Sequence, residues 1–516
     1  MELGRKFTAE ELRYSRPLDR HRITHHPEVK TFLKDFQQTH FPKHGKARRA
    51  MLDVLLMDLY VNWYYDPQMF IGFHRNERAY DKSPRYESLR ITKTIIKVAN
   101  DLIKAGFIFQ QIGFRGEISS FTSRIQALPP LEEIFLKASF NVLDICDHGD
   151  RPSIIMKDLV IEYDADGKEI SRTKPIIDYK DTNHTATMRQ DLKAFNDLLQ
   201  ITHVDIGNRY FPYVERKKSK KQKRATRIPL TQHNKFVHRV FNNNSWLEGG
   251  RYYGGWWQQL SEENRRHIRI HGERTIEVDY SAIHIMLLYC RKGINYSGQD
   301  PYTIELAEIP DPQTRRWLIK QVLLTAVNAK DVPTTCAAVR WTVSKDLPDD
   351  YAWPNIRMDD DFIIEIINKL KNLHPDIAEF LCTGAGIELQ NEDSQMASII
   401  INKFTKDKVP VLPIHDSFIV QEDYASELRE VMITAYQDVV QVAVAGGFGP
   451  DDVSIRNAII GLDQGGYIDE LRDDEEPDGG AEHQELLAMK DRDLVAIPAH
   501  KARFRHFQQW LDTKMG

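Results

Sequence analysis

Glu273–Tyr289, with the sequence ERTIEVDYSAIHIMLLY, changes its hydrophobic periodicity in the middle. Thr275–Val278 alternates as a strand does, whereas the segment after Tyr280 is apolar at helical spacing. Asp279 therefore falls at the end of a predicted strand, just before a predicted helix. A carboxylate at such a junction is exposed and held rigidly, as a metal ligand must be. The alternative is a helix N-cap, because Asp before a helix commonly has that role.

A second carboxylate lies in Lys408–Gln421, KVPVLPIHDSFIVQ, which predicts a hairpin. Val409–Ile414 and Phe418–Val420 are the expected strands, with His415 and Asp416 between them. If both aspartates reach one sheet, they can share two Mg²⁺ ions, for which Mn²⁺ can substitute. One ion would activate an attacking 3′-hydroxyl and the other would steady a leaving pyrophosphate. His415 taken alone is equally consistent with a buried histidine whose hydrogen bonds are satisfied.

A basic helix is predicted between the two aspartates, in the segment 312–330, PQTRRWLIKQVLLTAVNAK. Arg316 and Lys320 are four residues apart and share one helical face, so both cations can contact one triphosphate. Arg315 is the alternative to Arg316, but the spacing to Lys320 favours Arg316. Standing alone, such a helix would be interpreted as a solvated basic stripe.

Five short segments together resemble the polymerases of one palm superfamily. VDYSAIHI resembles motif A of family A DNA polymerases, and IHDSF resembles motif C of phage-type single-subunit RNA polymerases. RRWLIKQVLLTAVNA resembles motif B of both. LQNEDSQMASIIINKF resembles the family A segment whose glutamine supports the primer terminus, and GGRYYGG resembles a template-contact segment of the RNA enzymes. The resemblance covers roughly 245–440 and does not reach the N-terminal third.

The resemblance implies an α+β fold of the right-hand polymerase type, with an antiparallel palm sheet and helical fingers and thumb. It implies that Asp279 and Asp416 are catalytic and hold the metal ions, helped by the Tyr280 carbonyl. Lys320 would bind phosphate and donate a proton to pyrophosphate. The other implied nucleotide contacts are Arg316, Tyr280, His284, Thr325 and Asn328, and the implied nucleic-acid contacts are Arg251, Tyr253, Gln390 and His415.

Several positions depart from the family patterns. Asn328 stands where both families carry a Tyr that senses sugar and base, and Ala329 replaces the following Gly. His284 stands where family A has a Glu that excludes the 2′-hydroxyl. A bulky His favours deoxynucleotides, whereas the missing Tyr favours looser discrimination. Ser417 replaces the acidic residue of family A motif C, and no paired acidic motifs of a proofreading exonuclease are present, so none is expected.

Composition divides the rest of the chain. Residues 1–45 are polar and His-rich, which predicts a loosely ordered N-terminal arm with a short helix. Residues 46–135 predict two helices and a two-stranded ribbon around the turn Arg115-Gly116-Glu117, the outline of a mainly helical winged-helix-like domain that can place a helix in a DNA groove. A plain packing subdomain is the alternative. Residues 136–245 are expected to be a thumb or connecting region, 246–466 the palm and fingers, and 467–516 an acidic linker with a C-terminal helix.

The basic run at 216–227, RKKSKKQKRATR, lies between two segments predicted to be structured. The chain's net charge of −5 does not oppose nucleic-acid binding, because a phosphate backbone responds to local charge. We therefore expect a loop that contacts phosphates through Lys217, Lys218, Lys220 and Lys221. A nuclear-targeting signal is the other interpretation of the same residues.

The remaining composition limits the setting. No run of about 18 apolar residues occurs, so no membrane partner is expected. The four cysteines form no Cys-x-x-Cys pair, which argues against a zinc site and a disulfide framework. A cytoplasmic protein fits this composition best.

These observations predict a template-directed nucleotidyltransferase. The first hypothesis is a DNA-dependent DNA polymerase without proofreading exonuclease, whose partners are a DNA template, a primer strand and nucleoside triphosphates. The second is a single-subunit RNA polymerase or a primase-like enzyme. The third is a DNA-binding initiator built on an inactive polymerase fold. A chance occurrence of five motifs in the right order is the weakest interpretation.

Overall fold

A computed structural model describes residues 7–443 and 498–515 of the chain. Short gaps fall at 81–83, 88, 90, 116–119, 148–150, 165, 168, 216–226, 295, 297–299, 349–350, 352 and 355–357. The four lysines of the basic run that are expected to contact phosphates, and the acidic stretch after 466, lie outside the described residues. The described residues form a mixture of helices and strands, as an α+β fold requires.

The helices, numbered in chain order, have the following bounds. They are α1 Ala9–Arg13, α2 Pro27–His40, α3 Lys46–Tyr65, α4 Thr94–Lys104, α5 Pro129–Leu136, α6 Asn183–Gln200, α7 Glu262–Arg265, α8 Ile283–Arg291, α9 Pro312–Asn328, α10 Val332–Asp346, α11 Asp360–Leu373, α12 Gly386–Lys406, α13 Ala425–Ala443 and α14 Pro498–Met515.

The strands are numbered in the same way. They are β1 Ser15–Pro17, β2 Arg22–Thr24, β3 Phe70–Phe73, β4 Ile108–Gln111, β5 Phe114–Arg115, β6 Ser120–Phe121, β7 Ser123–Ala127, β8 Ile145–Asp147, β9 Ile154–Lys157, β10 Val160–Tyr163, β11 Glu169–Thr173, β12 Ile176–Ile177, β13 Val204–Ile206, β14 Tyr213–Glu215, β15 Arg227–Pro229, β16 His238–Phe241, β17 Gly249–Tyr253, β18 Ile268–Ile270, β19 Glu273–Asp279, β20 Leu412–Ile414 and β21 Ser417–Gln421.

The first of two hydrophobic cores belongs to the N-terminal third. Helix α3 is its centre, because Met51–Asn62 is apolar around most of the helix and almost entirely buried. A four-stranded sheet in the order β1-β3-β7-β4 packs with it. The two helices and the hairpin of the predicted winged-helix outline are thus present as α3, α4 and β4–β7, and the turn predicted around Gly116 lies outside the described residues.

The N-terminal arm is more ordered than its composition predicts. Strand β1 pairs in parallel with β3, and α2 adds buried side chains to the first core. The physical reason is Asp58, a fully buried carboxylate on α3 that needs cationic partners. Arg16 and Arg22 of the arm supply them, so two residues that look like solvated arginines in the sequence hold the arm in place.

The second core surrounds a five-stranded antiparallel sheet in the order β13-β18-β19-β21-β20. Helices α8, α9 and α11–α13 supply most of the apolar side chains of this core. A second sheet, β12-β9-β16-β17, lies against α12 through β17. Among the described helices, none has the length and apolar character needed to cross a bilayer.

The C-terminal helix α14 fastens the two halves of the chain. Phe507 is buried in the N-terminal core, and Trp510 donates a hydrogen bond to Asp144 at 3.1 Å. On the other side, His500 and Arg503 hold the buried Asp205 of β13 at 2.9 and 2.7 Å. The docking helix expected from the sequence is therefore present.

Replacing Phe507 with Leu should test this fastening. The smaller side chain leaves part of a buried aromatic site unfilled, which is expected to cost about 1 kcal/mol of unfolding free energy. Urea unfolding monitored by Trp fluorescence would measure the loss, with the exposed Phe114→Leu change as control. Equal losses in both variants would contradict the docking of α14.

Candidate active site

The two aspartates meet at one end of the central sheet. Strands β19 and β21 are antiparallel, and Asp279 is the partner of Ser417, so Asp416 is its immediate neighbour. The Tyr280 N–H donates to the Asp416 carbonyl at 3.4 Å. Helix α8 begins only at Ile283, with Ala282 at the cap position, so Asp279 is not its N-cap.

Asp279 is open to solvent on one side and enclosed by protein on the others. Its side chain is exposed, yet burial by surrounding groups is the largest cause that raises its pKa well above the usual range. The charges of Asp416 and Glu277 raise the pKa further, and Lys320 opposes them. Negative charge is therefore concentrated here beyond what Lys320 compensates.

Lys320 and Arg316 approach the aspartates from α9. Both cations lie over the buried ring of Tyr302, with Arg316 Cζ at 5.2 Å and Lys320 Nζ at 5.9 Å from its centroid. Arg316 is held by Asp300, whereas Lys320 has no ion pair within the described ranges. Arg315 instead binds the Ile309 carbonyl at 3.2 Å, which leaves Arg316 as the arginine on the face of Lys320.

Burial raises the pKa of the Tyr302 hydroxyl above its ordinary value. Arg316 lowers it, and the charges of Asp300, Asp279 and Asp416 raise it. Tyr302 is thus within electrostatic reach of both the basic helix and the aspartate pair. Sequence reasoning missed this residue, because no motif includes it.

Arg251 belongs to a buried cluster behind the aspartates. Its Nε donates to both oxygens of Asp393, at 3.1 and 3.0 Å, and its Nη2 also contacts Asp393. His284 Nε2 lies 3.0 Å from the same carboxylate and 3.2 Å from Arg251 Nη2. Burial opposes the charge of Arg251, but Asp393 and then Asp416 more than offset it, so the pKa of the guanidinium is raised.

This cluster changes the expected role of His284. The side chain is buried and bonded to Asp393, so its bulk is not projected toward solvent in the way a steric gate for the 2′-hydroxyl would be. The expectation that His284 excludes ribose by its size consequently has no geometric support. Asp393 lies three residues after Gln390 in the same motif, yet sequence reasoning assigned it no role.

His415 stands at the hairpin turn, with a left-handed φ of 57°. Its ring lies 5.5 Å from that of Tyr253 in an edge-on arrangement. Burial and the charge of Arg251 lower the pKa of His415, against the opposing charges of Asp416 and Asp393, so the imidazole is neutral at pH 7. Nδ1 has no hydrogen-bond partner in the described part of the chain, which disfavours the interpretation as a satisfied buried histidine.

Gln390 and Asn328 meet at the end of α9. Gln390 Nε2 donates to Asn328 Oδ1 at 3.2 Å, and both side chains are solvent-accessible. Asn328 lies eight residues after Lys320 and so continues the face of α9 that carries Arg316 and Lys320. Thr325 is less available, since its hydroxyl donates to the Gln321 carbonyl within the helix at 2.6 Å.

The Tyr280 side chain cannot contact a nucleotide from its position. It is buried, and its hydroxyl donates to the Met432 carbonyl of α13 at 2.5 Å. Only the backbone of Tyr280 remains for the predicted metal and nucleotide contacts. The reason is the strand period, because a residue next to the exposed Asp279 points to the opposite face.

Glu277 is a further carboxylate to which sequence reasoning assigned no role. It shares a face of β19 with Asp279, two residues on, and it accepts a hydrogen bond from Ser417 Oγ at 2.7 Å. Arg265 neutralises it through bonds of 2.7 and 2.8 Å. Ser417, which replaces an acidic residue of the family A motif, therefore serves to position Glu277.

The donor set fits a divalent cation. Asp279 and Asp416 offer hard oxygen atoms, and burial followed by repulsion from Asp416 raises the pKa of Asp279, which a dication would oppose. Among the described residues, no cluster of three or more His, Cys, Asp or Glu side chains is arranged as a metal site. The fit therefore rests on the two aspartates, backbone oxygen and ligands from solvent or substrate.

Asp279→Asn should stabilise the protein when no metal is added. The raised pKa of Asp279 means that the folded state binds the proton more tightly than the unfolded state does. Protonation of Asp279 therefore stabilises the wild-type fold below the unfolded pKa of about 3.9, and this stabilisation is lost as pH rises. At pH 7 the unfolding free energy of the variant should be higher by roughly 1 kcal/mol, a modest gain because solvent screens the repulsion between the two carboxylates. Near pH 3 the variant should show no gain in stability.

Thermal unfolding in EDTA between pH 3 and 8 would measure this gain, with the exposed Asp197→Asn change as a matched control. An Asp279→Asn protein that is no more stable than the wild type at pH 7 would show that the two carboxylates do not repel. Adding Mn²⁺ should reverse the order, because only the wild type keeps both ligands.

No protein-family model, curated protein or solved structure matches the chain, so its function has to be inferred from the geometry of this site.

Proposed function

We propose that the chain is a template-directed nucleotidyltransferase, first of all a DNA-dependent DNA polymerase without proofreading exonuclease. The observation that carries this proposal is the position of Asp279, at the end of β19, beside Asp416, in the turn that leads into the adjacent antiparallel strand β21, with Lys320 close enough to lower the pKa of Asp279. In this proposal the central sheet is the palm of a right-hand polymerase. Helices α9–α11 are its fingers, and the region around α6 is its thumb.

The side chains of the chain itself account for most of the chemistry. Mg²⁺ bound by Asp279, Asp416 and the Tyr280 carbonyl would lower the pKa of a primer 3′-hydroxyl and offset the charge of leaving pyrophosphate. Lys320 binds the incoming triphosphate and donates a proton to pyrophosphate. Arg316 exchanges Asp300 for phosphate, which a bidentate guanidinium binds well.

The remaining side chains position the nucleic acid. Tyr253 and the neutral His415 form an edge-on pair beside Asp416, suited to the primer terminus. Gln390 and Asn328 offer an amide pair to the base of the templating or incoming nucleotide. Arg251 is fixed by Asp393, so it supplies one donor edge in a constant direction rather than a mobile charge.

A single-subunit RNA polymerase or primase-like enzyme is the second candidate, and the position of His284 favours it. With that ring bonded to Asp393, bulk at this position gives no reason to exclude a ribose. Primer extension on one DNA template, with dNTPs or NTPs and with Mg²⁺ or Mn²⁺, separates the two. Synthesis with NTPs and without a primer would identify the chain as the RNA polymerase or primase-like enzyme.

The third hypothesis, a DNA-binding initiator, corresponds to the absence of synthesis in that primer-extension assay. The N-terminal domain presents Lys97, Asn100 and Lys104 on the exposed face of α4. This face suits contact with a DNA backbone whether the chain is an initiator or a polymerase. A protein that binds DNA but incorporates no nucleotide of either type, with either metal, would be an initiator on an inactive fold.

A further inference from the structure

An open cavity of about 610 Å³ lies between the N-terminal arm and the catalytic half of the chain. One wall is the arm segment 13–21, and the other comes from Arg151, β15, the segment before β16 and Gly254. Five arginines line it, against one aspartate. None of the roles proposed above uses it.

Four of the five arginines are held by ion pairs, and Arg151 is paired with Asp19 and Asp147 at 3.1 Å each. Each of three is paired with a more deeply buried carboxylate: Arg16 is 16% exposed and Asp58 0%, Arg20 18% and Glu87 5%, and Arg227 26% and Asp66 9%. The carboxylates therefore lie behind the guanidinium groups and orient them. Arg13 is exposed and has no ion pair among the described residues. A preoriented guanidinium layer of this kind suits a chain of phosphates.

Aromatic rings accompany the cations. Arg151 lies over the ring of Phe236 at 4.6 Å, and Arg227 lies over Tyr213 at 4.1 Å and Tyr14 at 5.7 Å. Phe236 and Tyr14 line the cavity. Cations that alternate with planar rings are typical of surfaces that bind single-stranded nucleic acid, where bases stack and phosphates pair.

The wall of the cavity continues along the chain into a residue of the candidate active site. Gly254 lines it and directly follows Tyr253, whose ring contacts His415. Gly254 has a φ of +125°, and a Cβ there would lie 2.2 Å from the Phe236 carbonyl. Only Gly lets the chain turn from the catalytic strand β17 into the cavity wall.

We propose that this cavity binds a single-stranded stretch of nucleic acid that leads to Asp279 and Asp416, an assignment that rests on the proposed function only in calling that strand the template. The arm, Phe236 and Arg151 form the binding surface. Single strand is favoured over duplex because a cavity of about 610 Å³ has the size of a small-ligand pocket rather than that of a double helix.

Photocrosslinking tests the assignment on the full-length protein without any nucleotide substrate. A single-stranded oligonucleotide carrying 5-iodouracil at successive positions is irradiated with the wild type, and crosslinked peptides are located by mass spectrometry. Crosslinks are expected on Tyr14 or Phe236 and should disappear when the oligonucleotide is annealed as blunt duplex. Binding with crosslinks exclusively elsewhere, or no binding of the single strand, would overturn the proposal.

Charge reversal gives a second measurement. Arg13→Glu should weaken single-strand binding about tenfold, the ratio expected for one charge-assisted hydrogen bond, and lower the salt slope by about 0.7 for each phosphate that the protein no longer neutralises. Arg172→Glu, an exposed arginine on the β10–β11 hairpin, is the matched control and should leave binding unchanged. Equal weakening in both variants would indicate nonspecific electrostatics and reject the cavity as the binding site.

The outcomes also separate this assignment from the proposed function. Crosslinks in the cavity from a protein that incorporates no nucleotide would keep the single-strand site and reject the polymerase. Primer extension by a protein that never crosslinks in the cavity would keep the polymerase and reject the single-strand site.

Discussion

Replacing Asp416 with Asn is expected to lower nucleotide incorporation by at least about 10³-fold, which corresponds to roughly 4 kcal/mol of transition-state stabilisation. The side chain keeps its size and loses its charge, so one of two oxygen ligands for the dications becomes a poor one. The hairpin itself should survive, because the hydrogen bond from Tyr280 to residue 416 uses the backbone carbonyl. Single-turnover primer extension measures the loss directly.

The same variant should bind nucleic acid at least as well as the wild type, since it removes a negative charge beside a phosphate chain. Asp423→Asn is the matched control, because Asp423 is an exposed carboxylate just beyond the far end of β21. Incorporation by Asp416→Asn at the rate of this control would remove Asp416 from the catalytic machinery.

The local elements of the site follow from sequence period. The alternation of apolar residues predicts β19, and two short apolar runs mark the turn between β20 and β21. The four-residue spacing of Arg316 and Lys320 predicts that both lie on one face of α9. What the sequence does not contain is register. Asp279 and Asp416 become neighbours only because Asp279 pairs with Ser417 across a sheet whose strands are far apart in the chain.

Residues that act through a partner were the ones missed or misinterpreted. Asp393 lies within a motif segment and Glu277 directly precedes one, but their roles depend on Arg251 and Arg265, which only the fold brings to them. The volume of His284 predicts a steric gate, whereas its environment in the fold is set by Asp393. In the same way, the polarity of the arm predicts loose order, and the buried Asp58 explains why the arm is ordered. Local patterns report a residue's own preferences and not the partner that satisfies a buried charge.

Lys320→Ala is expected to lower kcat for incorporation by roughly 10²- to 10³-fold, with a smaller change in KM. Its ammonium group lies over Tyr302 and within reach of Asp279, where it can compensate negative charge that develops on pyrophosphate as well as supply a proton. An interaction made mainly in the transition state affects kcat, whereas uniform phosphate binding affects KM. Lys320→Arg should restore phosphate binding and leave kcat low, because a guanidinium does not release its proton near neutral pH.

The matched control for this variant is Lys330→Ala, an exposed lysine just beyond the end of α9 whose one ion pair in the described part of the chain is a long contact of 4.0 Å with Asp331. Pre-steady-state incorporation by Lys320→Ala and Arg316→Ala separates proton donation from phosphate binding. Loss of the proton donor in Lys320→Ala should lower kcat, while Arg316→Ala should mainly raise KM. A Lys320→Ala enzyme with the kcat of the Lys330→Ala control would place Lys320 outside the reaction.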